Sequence, residues 1–329
     1  MPWPKGKTHP SARLNDRDFI AMYEDLARGP AYIARTTKTA LSSVKRRRQH
    51  LEQKLGRAIQ AKGPWAKPRG EFGAALAPGR IQLKLYDGVV LVASDAHYWP
   101  GDISTAHRAF VRFCRRMRPK IVVMNGDVLD GSTISRHAPI GWESRPSLIQ
   151  EIEACQERLG EIVKASPGAQ YVWPLGNHDA RFESRIAAVA PEYAKVKGVH
   201  LSDHFGAEWQ PCWSCFVNDD VVVKHRFKSG IHAPHNNTMW AGRSIVTGHL
   251  HSLKVQPISD YNGTRWGVDT GTLADPYGKQ FSDYTEDNPR SWRSGFAILT
   301  FKDGRLLWPE VCHVVEPGVV DFRGQLIEV

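Results

Sequence analysis

Three apolar segments of this 329-residue chain each end in a cluster of polar residues and glycine. The segments VVLVAS, IVVMN and YVWPL are followed by acidic, His, Asn or Gly residues at 95–97, 126–127 and 176–179. Helical patterns at about 105–118 and 147–165 separate the three segments. This alternation predicts parallel βαβ units, whose strands end at one edge of a sheet, where ligands bind in folds of this class.

The second half of the chain is rich in short apolar segments. VVVKHR, SIVTGHLHS, FAILTF and RLLWPEV are predicted strands, and the Asn262-Gly263 and Asp303-Gly304 pairs are typical of hairpin turns. We therefore predict that residues 81–329 form an α/β domain in which two mixed β-sheets are sandwiched between helices.

Positive charge is concentrated at the beginning of the chain. Residues 1–80 contain 17 Lys and Arg but only 6 Asp and Glu, so they carry the whole excess behind the chain's net charge of +10. Three short helices are predicted within them, with a break at Gly29-Pro30. We predict a small all-α module at 1–57, followed by a Gly- and Pro-rich linker at 58–80.

The third predicted helix combines an apolar stripe, formed by Val44, Leu51 and Leu55, with a basic run. The pattern resembles a helix-turn-helix with a basic recognition helix, which predicts DNA as a partner. Consecutive residues of a helix are rotated by about 100°, so the run cannot face one groove as a whole. The alternatives are a solvated basic face and a protein-interaction arm. The predicted nucleic-acid contacts are Lys45, Arg46, Arg47 and Arg48.

Several classes of protein are disfavoured by composition. No apolar run approaches the roughly 20 residues of a membrane span, and MPWPKGKTHP lacks the apolar region of a secretory signal, so we expect a cytoplasmic protein without membrane partners. Five irregularly spaced cysteines argue against disulfides. Cys212 and Cys215 form a lone CxxC, for which buried cysteines are favoured over a zinc or redox site. The sequence predicts neither a protein partner nor an oligomeric state.

Seven residues at the ends of predicted strands are candidate metal ligands. Imidazole and carboxylate donors without thiolate suit Mn²⁺, Fe²⁺ or Zn²⁺. Seven ligands are too many for one transition metal, but they fit two ions that share a carboxylate. The candidates are Asp95, His97, Asp127, Asn177, His225, His249 and His251.

The order D-x-H, G-D-x-x-D, G-N-H-D, H and G-H-x-H resembles the calcineurin-like metallophosphoesterases over residues 88–275. The resemblance implies two divalent cations, with Mn²⁺ preferred and Fe²⁺ or Zn²⁺ as alternatives, and Asp127 as the bridging ligand. Asp95, His97 and His251 would complete the first site. Asn177, His225 and His249 would complete the second.

The same resemblance implies roles in catalysis. A metal-bridging hydroxide would attack phosphorus, His178 would stabilise the transition state or protonate the leaving oxygen, and Asp179 would orient His178. Arg226 follows His225 where the family often has glycine, and the nearby His232 and His235 are alternative ligands to His225, His232 above all. The predicted contacts to the substrate phosphate are Arg136, His137 and Arg181.

The motifs predict phosphoester hydrolysis, and the basic module selects among substrates. A helix-turn-helix on a phosphoesterase would concentrate DNA at the site, so we predict a DNA phosphodiesterase, a nuclease. One alternative is a phosphomonoesterase or cyclic-nucleotide phosphodiesterase with a docking arm. Another is a DNA-binding regulatory protein whose metal site is vestigial.

Overall fold

A computed structural model describes residues 14–24, 29–56, 59, 79–137, 145–281, 285–286 and 288–329. The chain divides into two compact units, Met1–Leu76 and Ala77–Val329. Most of the linker predicted at 58–80 lies outside the described residues.

The first unit contains three helices in its described part. They are α1 (Asp16–Glu24), α2 (Gly29–Thr36) and α3 (Leu41–Leu55). At the start of α1, Asn15 Oδ1 accepts a hydrogen bond from the backbone N–H of Asp18 at 2.7 Å. The end of α3 is set by Gly56, whose φ of 63° lies in the left-handed region that glycine adopts easily.

A small apolar core holds the three helices together. Val44 and Leu51 of α3 are fully or almost fully buried, as the predicted stripe requires. Leu55, the third member of the stripe, is 46% exposed because it lies in the last turn of α3, beyond the packed part of the helix. The remaining buried members of this core are Phe19, Tyr23, Ile33 and Ile59.

The second unit contains four α-helices within its described part. They are α4 (Thr105–Met117), α5 (Leu148–Ala165), α6 (Asp179–Val189) and α7 (Ala233–Ala241). The sequence predicted α4 and α5, each of which begins after a serine, Ser104 or Ser147. It did not predict α6 and α7, which are short and follow directly on polar loops. No helix in the described ranges is both long and apolar enough to span a membrane.

The strands form two mixed sheets, which confirms the predicted fold class. The larger sheet contains, in spatial order, β15 (Gln325–Glu328), β14 (Val319–Phe322), β13 (Glu310–Glu316), β11 (Gly295–Lys302), β2 (Gly88–Ala93), β3 (Ile121–Met124), β4 (Gln170–Pro174) and β5 (Trp209–Cys212), with β12 (Arg305–Leu306) beside β11. The smaller sheet contains β1 (Arg80–Leu83), β6 (Ser214–Val217), β7 (Val221–Val223), β8 (Ser244–Thr247), β10 (Gly263–Thr270) and β9 (Leu253–Asp260).

Parallel pairing in both sheets determines where the polar loops lie. Strands β2, β3, β4 and β5 are parallel neighbours, and β7, β8 and β10 form a second parallel set. Each set therefore brings the carboxyl ends of its strands to one edge. β1 and β2 follow each other in the sequence but do not pair, because β1 pairs with β6 in one sheet while β2 pairs with β3 and β11 in the other.

The central strands are apolar on both faces. In β2, Leu91 and Ala93 belong to the core that includes residues of α4 and α5, whereas Val90 and Val92 belong to the core formed by the two sheets. This alternation follows from the two-residue period of a strand. It explains why β2, β3 and β4 appear in the sequence as continuous apolar runs instead of alternating ones.

All five cysteines are buried free thiols. Cys212 ends β5 and Cys215 lies in β6. Burial raises the pKa of both thiols, that of Cys212 to about 12. Both side chains belong to the core between the two sheets, and neither belongs to a group of potential metal ligands among the described residues, so the CxxC pair is explained by packing.

Candidate metal centre

The loops that follow the parallel strands are joined to one another by backbone hydrogen bonds. The Asp95 N–H donates to Gly126 O at 2.9 Å, which links the loop after β2 to the loop after β3. The Gly248 N–H donates to His225 O at 2.8 Å, which links the loop after β8 to the end of β7. The polar residues predicted at these strand ends are thereby held in defined positions.

Five of the seven predicted ligands have a left-handed backbone. Non-glycine residues adopt positive φ at a cost, and such residues cluster at functional sites. The surrounding hydrogen bonds hold these side chains in directions that a relaxed strand end would not give. The five residues are Asp95 (φ 52°), His97 (40°), Asp127 (51°), His249 (72°) and His251 (53°).

Two glycines allow the loops to approach one another this closely. A Cβ atom at Gly126 would lie 2.5 Å from His225 Cγ, and one at Gly176 would collide with Asp127 Oδ1. Gly126 also has a φ of 82°. A larger residue at either position would push a candidate ligand away.

The predicted ligands fall into two groups of three. Asp95, His97 and His251 each offer an atom within 4.8 Å of the others, and Asp127, His225 and His249 do the same. His251 Nε2 lies 3.1 Å from Asp95 Oδ1, and His225 Nε2 lies 3.1 Å from Asp127 Oδ2. Each group matches one of the two predicted ion sites apart from Asn177, while the bridging role of Asp127 stays a prediction.

Several buried donor atoms are suited to a cation. Among the described residues, His97 Nε2, Asn177 Oδ1 and His225 Nε2 are buried without a hydrogen-bond partner. His225 Nε2 is close to Asp127, but the two do not meet in hydrogen-bond geometry. An unsatisfied buried polar atom costs about 1–3 kcal/mol, which coordination would offset. These donors therefore fit divalent metal ions.

The charges of the site act on one another strongly. Burial alone would raise the pKa of Asp95 and Asp127, but neighbouring histidines, first His251 for Asp95 and His225 for Asp127, hold both values below their usual range. Burial opposes protonation of His225, yet the Asp127 and Asp95 carboxylates raise its pKa to about 10. Neighbouring positive charge thus stabilises both carboxylates in their ionised form, and a divalent ion would supply such charge as well.

His178 lies next to both groups. Its Nδ1 donates to Asp130 O at 2.9 Å and lies 3.1 Å from Asp130 Oδ1, and its backbone N–H donates to Asp127 Oδ1 at 2.8 Å. Burial opposes protonation of His178, but the charges of Asp127 and Asp130 raise its pKa. Asp130 Oδ1 also lies 2.8 Å from His97 Nδ1, so one carboxylate holds two histidines of the site.

Asp179 does not orient His178 as predicted. Its buried carboxylate instead accepts a hydrogen bond from Trp173 Nε1 and others from four backbone N–H groups. It therefore fixes the loop after β3, because three of its backbone donors belong to that loop. Asp130 takes the predicted role. The four backbone donors belong to Asp127, Val128, Leu129 and Gly176.

Comparison with known families agrees with this geometry. The family model of calcineurin-like phosphoesterases matches residues 88–265, more than half of the chain. This chain belongs to the calcineurin-like phosphoesterase family. A search of curated proteins gives no significant match.

Three solved structures illustrate the range of similar folds. The Zn²⁺ complex of Vps29 from Entamoeba histolytica is 12% identical with a TM-score of 0.40, covering 73% of this chain and 98% of that chain. A serine/threonine phosphatase from Saccharomyces cerevisiae is 14% identical with a TM-score of 0.35 (73% and 85%). The E. coli phosphoesterase Yfce is 14% identical with a TM-score of 0.31 (67% and 97%). These values are low, so the family assignment rests on the sequence match.

The structure of this phosphoesterase separates the alternative ligands. His225 is buried and lies in one group with Asp127 and His249. His232 is exposed just before α7, and His235 is half-buried within α7, where its Nδ1 lies 3.4 Å from Asn236 Oδ1. Neither belongs to a group of potential ligands among the described residues.

The predicted phosphate contacts of the phosphoesterase lie together. Arg136, His137 and Arg181 line one cavity with Asn177. Arg181 Nη1 donates to Asp130 O at 2.9 Å, and its Nη2 lies 3.1 Å from His178 Nε2, so its guanidinium borders the candidate catalytic histidine. Asp130 had no predicted role, although it is the second carboxylate of the G-D-x-x-D motif and could have been recognised by that position.

The basic run on α3 divides into two pairs. Lys45 and Arg46 are exposed. Arg47 donates to Leu14 O at 2.7 Å and lies over the Phe19 ring, and Arg48 pairs with Glu52 and lies over the Tyr23 ring. Arg47 and Arg48, the inner pair, therefore make contacts within the helical unit. Lys45 and Arg46, the outer pair, remain available to a ligand.

Proposed function

We propose that this metal-dependent phosphoesterase is a nuclease that hydrolyses DNA phosphodiester bonds. Family membership gives the class of reaction but not the substrate. The observation that supports DNA is the exposed polar face of α3 in the N-terminal unit. A phosphate polymer is the ligand that such a face attracts, because Lys and Arg displace the counterions of the nucleic-acid backbone.

The geometry of α3 gives this face its form. Four of its exposed residues are spaced so that they lie along one side of the helix. Residues 37–40 connect α2 and α3 by a short segment, which supports the proposed helix-turn-helix. Opposite the exposed side, α3 packs on the small core through Val44 and Leu51. The residues of the exposed face are Ser42, Lys45, Arg46 and Gln49.

The metal centre supplies the hydrolytic chemistry of the proposal. Two divalent ions, with Mn²⁺ as our first choice and Fe²⁺ or Zn²⁺ as alternatives, would neutralise phosphate oxygens and lower the pKa of water. The chain's own contribution beyond coordination is His178, which Asp130 holds at a fixed angle and whose raised pKa suits proton donation to a leaving oxygen. The residues that would hold the ions are Asp95, His97, Asp127, Asn177, His225, His249 and His251.

The test compares three substrates in the presence of Mn²⁺: single-stranded DNA, double-stranded DNA and an aryl phosphomonoester. We expect at least one form of DNA to be cleaved with a higher kcat/KM than the monoester. We also expect the double variant Lys45→Ala/Arg46→Ala to lower the ratio of kcat/KM for DNA to kcat/KM for the monoester, because the variant weakens attraction of the DNA polymer only.

Three results would contradict the proposal. Turnover of the monoester alone would make the protein a phosphomonoesterase whose basic helices dock another partner. An unchanged ratio in the double variant would separate the helical unit from DNA recognition. An inactive protein that still binds DNA would favour the regulatory alternative.

A further inference from the structure

A cavity of about 450 Å³ adjoins the metal centre and extends along α6. Asn177, a candidate ligand, forms part of its wall. Its floor contains Ala180, Ser184 and Ala188, three small residues of α6 at four-residue spacing. Because residues four apart lie on one side of a helix, these side chains leave an open track beside the site.

The walls of this cavity are strongly basic. Arg136, Arg181, Arg185 and Arg226 line it, together with His137, and its described lining contains no carboxylate. Arg136, Arg185 and Arg226 are exposed and have no ion-pair partner among the residues that the structure describes. Like charges gathered at one concave surface repel one another unless an anion lies between them.

The arginines are placed to contact more than one phosphate. Arg181 borders His178 and therefore the reacting phosphate. Arg185 is one helical turn further along α6, about 6 Å away along the axis, and Arg226 faces the same cavity from the loop after β7. A guanidinium forms paired hydrogen bonds with phosphate oxygens, so Arg185 and Arg226 are suited to a second phosphate.

We propose that the arginine cavity binds the phosphate that neighbours the cleaved one on a nucleic-acid strand. This inference rests on the proposed nuclease function and adds a subsite to it. A strand fits better than a nucleoside polyphosphate because the cavity is an open track with small residues on its floor. Apart from His137, no aromatic side chain among the described residues lines it to hold a base, so contact through the backbone, independent of sequence, is expected.

The experiment uses the smallest substrates that differ by one phosphate. A thymidine dinucleotide with free ends has only its internal diester, and two further dinucleotides carry an additional 5′- or 3′-phosphate. Cleavage of the internal bond is followed by chromatography with the full chain and Mn²⁺. We expect one of the phosphorylated dinucleotides to be cleaved with a kcat/KM roughly tenfold higher than the unphosphorylated one, the scale of a charged hydrogen bond.

Two variants assign the preference to the cavity. Arg185→Ala/Arg226→Ala should bring the ratio of kcat/KM for the preferred phosphorylated dinucleotide to kcat/KM for the unphosphorylated one close to one. Ser184→Trp, which fills the floor without changing charge, should lower the same ratio. The matched control is Arg115→Ala/Arg116→Ala, which removes two exposed arginines at the end of α4, near the amino ends of the parallel strands, and should keep the wild-type ratio.

The outcomes separate this subsite from the proposed function. Internal cleavage of all three dinucleotides at equal rates would overturn the subsite and leave the nuclease intact. A preference that survives in both cavity variants would also overturn it. Removal of the terminal phosphate with the internal bond intact would overturn the nuclease itself. If a nucleoside diphosphate were cleaved between its phosphates with the same kcat/KM as the preferred dinucleotide, the ligand of the cavity would be a small polyphosphate and not a nucleic-acid strand.

Discussion

Residues 127–130 and residues 45–48 use charge in opposite ways. Asp127 and Asp130 are buried, and each contacts a histidine at a defined distance. Lys45 and Arg46 are exposed on α3. Because Asp127 and Asp130 are buried, their function depends on the exact position of their partners, since a buried charge is costly without a partner. Because Lys45 and Arg46 are exposed, their attraction for a ligand depends on net charge and salt concentration, since water and ions screen exposed charges.

Removal of the metal should cause the largest loss of activity, and it should act at the buried site around residues 127–130 and not at α3. We expect dialysis against a chelator to abolish phosphoester hydrolysis and Mn²⁺ to restore it. Because an ion that binds only the folded state stabilises it, by about 2.7 kcal/mol at a hundredfold excess over Kd, the melting temperature should rise with Mn²⁺ concentration. Full activity in a protein shown to be metal-free would refute the proposed centre.

Asp127→Asn should come next. The amide keeps the shape of the carboxylate but removes the charge that His225 and a cation would share, so we expect roughly a thousandfold loss of kcat. Bound metal, measured by elemental analysis, should fall as well. Asp219→Asn is the matched control, because it removes a carboxylate from an exposed turn and should leave both quantities at wild-type values. A variant with full metal content and activity would show that Asp127 is not a ligand.

Asp130→Asn should have an intermediate effect, because Asp130 positions His97 and His178 without itself being a predicted ligand. Loss of such a hydrogen-bonded partner typically costs 10- to 100-fold in activity or metal affinity, so a value in about this range is expected. Asp102→Asn, at an exposed position, serves as the control. If activity and metal affinity both stayed at wild-type values, the contact between Asp130 and the two histidines would have no part in function.

The sequence predicted which residues meet, because apolar runs and their polar ends are local signals. The parallel set β2–β3–β4 follows from the alternation of strands and helices, and it brings Asp95 and Asp127 to one edge. The two-sheet fold class was confirmed for the same reason. Strand pairing across the chain was less accessible, since β2 lies beside β11, some 200 residues later. Nothing local to either segment encodes that pairing.

Side-chain partners were harder to predict than positions. Asp179 was assigned to His178 because the resemblance of the G-N-H-D motif to the family implies that role. In the structure the start of α6 turns the Asp179 carboxylate toward the backbone of the loop after β3. Asp130 contacts His178 from the loop after β3, a different element from the one that carries Asp179. The arginine cavity escaped prediction in the same way, because Arg185 and Arg226 come from separate elements and only the fold places them side by side.

The smallest predicted effect returns to α3, where neighbouring arginines differ. Arg47 is 17% exposed, donates to Leu14 O and lies 4.6 Å from the centre of the Phe19 ring, whereas Arg46 is exposed. Arg47→Ala should therefore destabilise the helical unit by about 1 kcal/mol, through the lost ring and carbonyl contacts. In hydrogen exchange of the full chain, peptides from residues 14–56 should then exchange roughly fivefold faster.

Arg46→Ala is the matched variant for this last prediction. It removes the same charge from the same helix and should leave amide exchange at the wild-type rate, while it weakens DNA binding at low salt. If both variants destabilised the unit equally, the division of the basic run into an inner and an outer pair would be wrong. If Arg47→Ala alone weakened DNA binding and did not accelerate exchange, Arg47 and not Arg46 would contact DNA. The DNA-binding face of α3 would then include Arg47.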